Sequence, residues 1–133
     1  MDCLFCKIAK KEIEAKIVYE DEVGMAFLDI NPCQKGHLLV IPKEHYENLN
    51  EVPEEKLAAL FEIVKKMTKL LEEKLGASSF NIGWNHGKDA GQVIPHLHIH
   101  IIPRYPNDGG GSMQTIVNVG DENLEETYQK LIS

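Results

Sequence analysis

Three histidines occupy alternate positions in the run His96-Leu97-His98-Ile99-His100, where the chain concentrates most of its possible chemistry. Shuffling the composition would place His at both +2 and +4 of another His only about 0.007 times per chain, so the pattern needs a cause. On a strand, alternate side chains share a face. The three imidazoles would then line one surface about 7 Å apart, while Leu97, Ile99 and Ile101 turn to the core. A merely solvated face would use Lys, Glu or Thr. Two active chemistries remain. The rings could bind a metal, or one ring could attack an electrophile while its neighbours orient and protonate. Period-2 spacing makes convergence of His96, His98 and His100 on one catalytic ion awkward, which makes a metal-dependent hydrolase the weaker alternative. Cys3 and Cys6 form a CxxC pair, which needs two more N or S ligands to make a structural zinc site. His45 is the obvious third. Cys33 stands apart as a loop thiol.

The elements that must position these residues follow from periodicity and turn signals. Cys3 to Ala9 reads as one or two helical turns. Lys16 to Glu20, Val23 to Asp29 and His37 to Ile41 read as strands in quick succession, as in an antiparallel meander. Leu57, Leu60, Phe61, Val64, Met67, Leu71 and Leu75 recur at helical spacing. With Pro53 suited to the first turn and Gly76 to the C-cap, they predict one long amphipathic helix from Pro53 to Leu75. Phe80 to Trp84 returns to strand, Asn85 to Gln92 forms a Gly-rich loop, and His96 to Ile102 is a strand closed by Pro103. Thr115 to Val119 is read as a further strand and Glu122 to Ile132 as a terminal helix. Strands grouped around one large helix indicate an α+β fold, and no linker or repeat divides residues 1–133, so one domain is expected.

Composition narrows the function classes. The chain is 43% apolar and 26% charged, which suits a packed core. Its formal net charge of -7 argues against non-specific nucleic-acid binding, yet allows a small phosphorylated ligand in a dipole-lined pocket. Apolar runs such as Leu38 to Ile41 are too short for a bilayer. Asp2, Lys7, Lys10 and Lys11 break up any signal peptide, so a cytoplasmic protein without a membrane partner is expected. Three cysteines in such a chain are poor evidence for a disulfide framework.

HxHxH followed by two apolar residues resembles the signature of the histidine-triad (HIT) superfamily of nucleotide hydrolases and transferases. The resemblance runs in family order from about Cys3 to Arg104. It includes Cys3-Leu4-Phe5-Cys6-Lys7-Ile8, Lys16-Ile17-Val18-Tyr19-Glu20-Asp21, Ala26-Phe27-Leu28-Asp29-Ile30-Asn31-Pro32, Gly36-His37-Leu38-Leu39-Val40-Ile41-Pro42-Lys43 and Asn85-His86-Gly87-Lys88-Asp89-Ala90-Gly91-Gln92. The pattern is closest to the Hint-like or bacterial and archaeal Hit branch.

That resemblance implies a HIT-like α+β fold and a homodimer with sheets joined across a two-fold axis. It implies that His98, at the middle triad position, attacks the α-phosphorus of an AMP-containing substrate. A nucleotidyl-histidine forms and water then releases AMP. The substrate would be a nucleoside phosphoramidate, an acyl-adenylate or a dinucleoside polyphosphate. His100 would contact the phosphate or leaving group, with His37 beside the nucleophile and Asn85 helping to place the phosphate. Gly91, Gln92 and Val93 lie where the family faces the phosphate. Asp29 matches a carboxylate that binds the ribose hydroxyls, and Leu4, Phe5, Phe27 and Ile30 match apolar residues around the purine. Cys3, Cys6, His45 and His96 match a set that binds structural zinc in some microbial members; no catalytic metal is expected. Val93 replaces the hydroxyl residue usual in the Hint branch, and Pro95 removes a backbone donor. His86 and Trp84 receive no assignment. A nucleotide-sensing or scaffold protein with vestigial catalysis is a further alternative, disfavoured by the presence of His98, His37 and Asn85 together.

Overall fold

The computed structural model describes residues 3–133. Helix α1 (Leu4–Ala9) precedes strands β1 (Ile17–Glu20), β2 (Gly24–Leu28) and β3 (Leu38–Pro42). The long helix α2 (Glu54–Leu75), β4 (Ser79–Gly83), β5 (Ile99–Arg104) and α3 (Leu124–Ile132) follow. The strands form one antiparallel sheet in the order β1-β2-β3-β5-β4. The meander expected from sequence holds for β1 to β3; β5 then inserts between β3 and β4, which carries the histidine run to the middle of the sheet.

The sheet is covered on both faces because its strands alternate two apolar sets. Ala26, Leu38, Val40, Ile99 and Ile101 pack beneath α2, whose Leu60, Ile63, Val64, Met67 and Leu71 recur every three or four residues. Burying each large aliphatic side chain of this set contributes about 1.5–3 kcal/mol. The opposite set, Met25, Phe27, Leu39 and Ile41, packs against Phe5 and Ile8 of α1. Helix α2 starts one residue after the expected Pro53 and ends at Gly76, whose φ of 71° provides the left-handed cap. Of the residues predicted for its buried face, Phe61 and Leu75 are exposed, while Ile63 takes a core position.

Three sequence expectations are corrected. The strand predicted from His96 begins only at Ile99, because the Leu97 N–H donates to the Tyr46 carbonyl at 2.7 Å and the His96 N–H to the Ile94 carbonyl at 2.8 Å, outside the ladder. It also continues past Pro103 to Arg104, since β3 pairs with β5 only from Val40 to Leu38. At Pro103 one side of β5 is therefore open, and the missing donor costs no ladder bond. The strand expected from Thr115 to Val119 does not form: a 3-10 turn spans Met113–Thr115 and an exposed segment leads to α3. A strand needs a paired edge, and among the described residues this segment meets none. Helix α3 is capped by Asn123, whose Oδ1 accepts from the Glu126 N–H at 3.1 Å. Its Leu124, Tyr128, Leu131 and Ile132 are all exposed. Among the described residues, no helix is long and apolar enough to cross a membrane.

Candidate active site

Strand β5 and the extended residues before it carry the histidines to the face covered by α1, opposite α2. Phe5 of α1 meets both His98 and His96 edge-on, at ring-centroid distances of 5.0 and 5.9 Å. His98 and His100 stand 5.1 Å apart by the same measure. His37 precedes β3, next to Gly36, whose φ of +88° favours glycine and whose missing Cβ leaves space for the Leu75 side chain. The sheet register then brings His37 Nε2 within 2.9 Å of His100 Nδ1.

Hydrogen bonds determine where the protons lie. His98 Nδ1 is 2.7 Å from the His96 carbonyl, which can only accept, so Nδ1 donates. In a neutral ring this leaves His98 Nε2 with a free lone pair. His96 Nε2 likewise donates to the Pro42 carbonyl at 2.9 Å, which leaves its Nδ1 bare. Burial lowers the basicity of the neighbouring rings: His100 is pushed down to about 4, chiefly by desolvation and then by His98 and His37. His37 is also lowered by burial, with Asp29 opposing the shift. Both are neutral near pH 7.

Two clefts meet at His100. The smaller, about 220 Å³, is lined by Leu4, Phe5, Phe27, Asp29 and Ile30 together with His98. The five residues expected around a nucleoside are thus brought together at the central histidine. Ile30 is 84% exposed and forms a rim rather than a floor. Asp29 Oδ1 accepts from the Asn31 N–H at 2.8 Å, and Oδ2 lies 3.6 Å from His37 Nε2. The larger cleft, about 620 Å³, contains Asn85, His37, Cys33 and Trp84 beside His100. Trp84 also packs against Phe61, with ring centroids 6.2 Å apart.

The loop after Asn85 is held by its own hydrogen bonds. Its amides at Gly91 and Gln92 donate to the carbonyls of Lys88 and Gly87 at 3.0 and 3.1 Å. The Gln92 side chain accepts from the Gly87 N–H and donates to the carbonyls of Glu47 and Ile94. These groups brace the turn that follows Asn85. Val93 is 88% exposed and lines neither cleft. His86 is also exposed and outside both.

Cys3, Cys6, His45 and His96 form a separate constellation in which the candidate ligand atoms all lie within 4.8 Å of one another. His96 Nδ1 is 3.4 Å from Cys3 Sγ, 3.5 Å from Cys6 Sγ and 3.3 Å from His45 Nδ1. Cys6 Sγ is 3.3 Å from His45 Nδ1. Tetrahedral zinc with ordinary bond lengths would set such edges at roughly 3.3–3.8 Å. Burial and the adjacent Cys3 push the Cys6 thiol up to about 11, and burial pushes His96 down to about 4. Without a cation both are neutral, and a dication is what would stabilise ionised thiolates here. The donor set fits zinc, and the His96–Pro42 bond is the outer contact that holds such a ligand ring in place.

Comparison with known proteins places this geometry. The HIT domain matches residues 10–107. This chain belongs to the HIT domain family. A HIT-like protein of Methanocaldococcus jannaschii is 54% identical over 129 residues, 97% of this chain and 98% of its own. An adenosine 5'-monophosphoramidase of Schizosaccharomyces pombe is 43% identical over 111 residues, 84% of this chain and 80% of its own. The crystal structure of a HIT family member from Bacillus subtilis superposes with a TM-score of 0.86 at 38% identity, covering 99% of this chain and 93% of that one. A zinc-bound histidine triad family protein from Mycobacterium smegmatis gives 0.77 at 35% identity, covering 97% and 89%. The α+β architecture expected from sequence is thus the HIT architecture.

Proposed function

We propose that this HIT protein hydrolyses AMP-containing substrates through a nucleotidyl intermediate on His98. The observation that carries the reading is the 2.7 Å bond from His98 Nδ1 to the His96 carbonyl, which leaves Nε2 unprotonated. A neutral imidazole with its lone pair aimed into a cleft is a nucleophile that needs no prior deprotonation. The nucleoside occupies the smaller cleft, with the purine beside Phe5, Phe27, Leu4 and Ile30 and the ribose on Asp29.

His98 Nε2 bonds to the α-phosphorus as the bond to the leaving group breaks. The Nε2–H of His100 donates a hydrogen bond to the departing atom, which takes its proton from water, and the product leaves through the larger cleft. Water then attacks the same phosphorus, its proton passes to solvent, and the P–N bond breaks to release AMP with His98 neutral again. Asn85 lies on the leaving-group side. The related monophosphoramidase supports a phosphoramidate as one substrate class.

Zinc on Cys3, Cys6, His45 and His96 would tie α1 to the start of the histidine run, holding Phe5 against His98 without entering the reaction. The zinc-bound relative supports this assignment. A homodimer is part of the same reading, supported by the open β4 edge and the uncovered apolar residues of α3; light scattering measures it directly.

Rapid-quench mass spectrometry with an AMP phosphoramidate tests the nucleophile. The adduct is expected on His98, and His98→Ala should lower turnover by several orders of magnitude while AMP still binds. An adduct elsewhere, or an active variant, would overturn the reading.

A further inference from the structure

Asp29, His37 and His100 offer ligand atoms within 4.8 Å of one another, which suggests a second cation site. The hydrogen bonds argue otherwise. The main-chain N–H of Cys33 donates to His37 Nδ1 at 3.2 Å. A ring nitrogen that accepts carries no proton, so neutral His37 holds its single proton on Nε2. That nitrogen is 2.9 Å from His100 Nδ1, with Asp29 Oδ2 further away at 3.6 Å. The space between the two rings already holds a proton, and a cation there would have to displace it.

We infer that the backbone amide of Cys33, acting through His37, fixes which nitrogen of His100 carries the proton. The chain of donors has one direction. Cys33 N–H donates to His37 Nδ1, and His37 Nε2–H donates to His100 Nδ1. His100 must then keep its own proton on Nε2, the nitrogen left to face a ligand. His37 is 4% exposed and cannot exchange this partner for water. A backbone amide cannot act as an acceptor, so the relay starts from a donor whose sense no side-chain rotation can reverse.

His37 is thus a positioning residue, and His100 is the group it equips. His98 is set the opposite way by the His96 carbonyl, with its proton on Nδ1. Two adjacent rings of the same residue type are held in opposite tautomers, one presenting a lone pair and the other a proton. The Cys33 thiol, 3.5 Å from His37 Nδ1, is not required for this. The catalytic consequence rests on the function proposed above, whereas the tautomer assignment does not.

Long-range ¹H–¹⁵N spectra of protein labelled on histidine, recorded near pH 7.5, read the tautomers directly. His37 and His100 are expected protonated on Nε2, and His98 on Nδ1. Cys33→Ala keeps the amide and should leave all three unchanged. His37→Gln supplies an amide donor to His100 and should preserve its tautomer. His37→Met supplies none, so His100 should become a mixture, with kcat on an AMP phosphoramidate at least tenfold below that of His37→Gln at similar KM. His37 or His100 protonated on Nδ1 in the wild type, or a changed tautomer in Cys33→Ala, would overturn the inference even if the His37 variants fail to fold. The expected tautomers in a protein that turns over no AMP compound would support the relay and count against the hydrolase reading.

Discussion

Asp29 provides the sharpest test of the nucleoside cleft, because its two oxygens have separable duties. Oδ1 accepts from the Asn31 N–H at 2.8 Å and shapes the turn after β2. Oδ2 faces His37 at 3.6 Å and is the oxygen available to ribose hydroxyls. Asp29→Asn keeps an acceptor for the turn, at a position where Asn is as well suited as Asp. It replaces the second oxygen with an NH₂ group that meets the His37 Nε2–H donor to donor. One or two charge-assisted bonds to ribose are lost, each worth about 1.5–3 kcal/mol. AMP affinity should fall by about tenfold to a hundredfold or more. Asp29→Ala also forfeits the turn bond, about 0.5–1.5 kcal/mol, and should lower the melting temperature by roughly 2–8 °C where Asn does not. Calorimetry would compare AMP with its 2',3'-dideoxy analogue on wild type and Asp29→Asn. The analogue should bind wild type more weakly and lose little further on mutation. Equal losses for the two ligands would refute the reasoning and return Asp29 to a purely structural role.

Zinc should co-purify at about one ion per chain, and chelation or Cys6→Ala should lower the melting temperature by roughly 10 °C or more before turnover changes; metal-free protein of unchanged stability would remove the site. Acid should destabilise the fold through His100 and His37. Burial holds His100 at about 4 against 6.5 for an ordinary imidazole and lowers His37 as well, so between those pH values the unfolded chain binds more protons. The His100 contribution is full above about pH 6.5 and is lost as pH falls towards 4, and His37 acts in the same direction. Urea midpoints at pH 7 and 4.5 measure this, and equal midpoints would refute it.

What the sequence made legible was periodic. Alternation places Leu97, Ile99 and Ile101 in the core and the histidines on the opposite face, and a three-to-four repeat makes α2. What it hid depends on partners distant along the chain. Thr115-Ile-Val-Asn-Val has the local character of a strand, yet no edge receives it. The run from His96 looks like uninterrupted strand, but its first residues bond to Tyr46 and Pro42, which turns His96 towards the cysteines. The Gly91 and Gln92 amides find partners within their own loop, folded back by Gly87 at φ +94°, which residue identity alone does not show. Cys33 shows the same limit from the other side. Its thiol attracts notice in a sequence, while the group that meets His37 is a main-chain N–H that every residue except proline carries. Side-chain identity marks the proposed nucleophile and its neighbouring hydrogen-bond donor, but the backbone decides which ring nitrogen faces a ligand. Three imidazoles in one alternating run are chemically equivalent until a carbonyl at His96, a carbonyl at Pro42 and an amide at Cys33 assign each its proton.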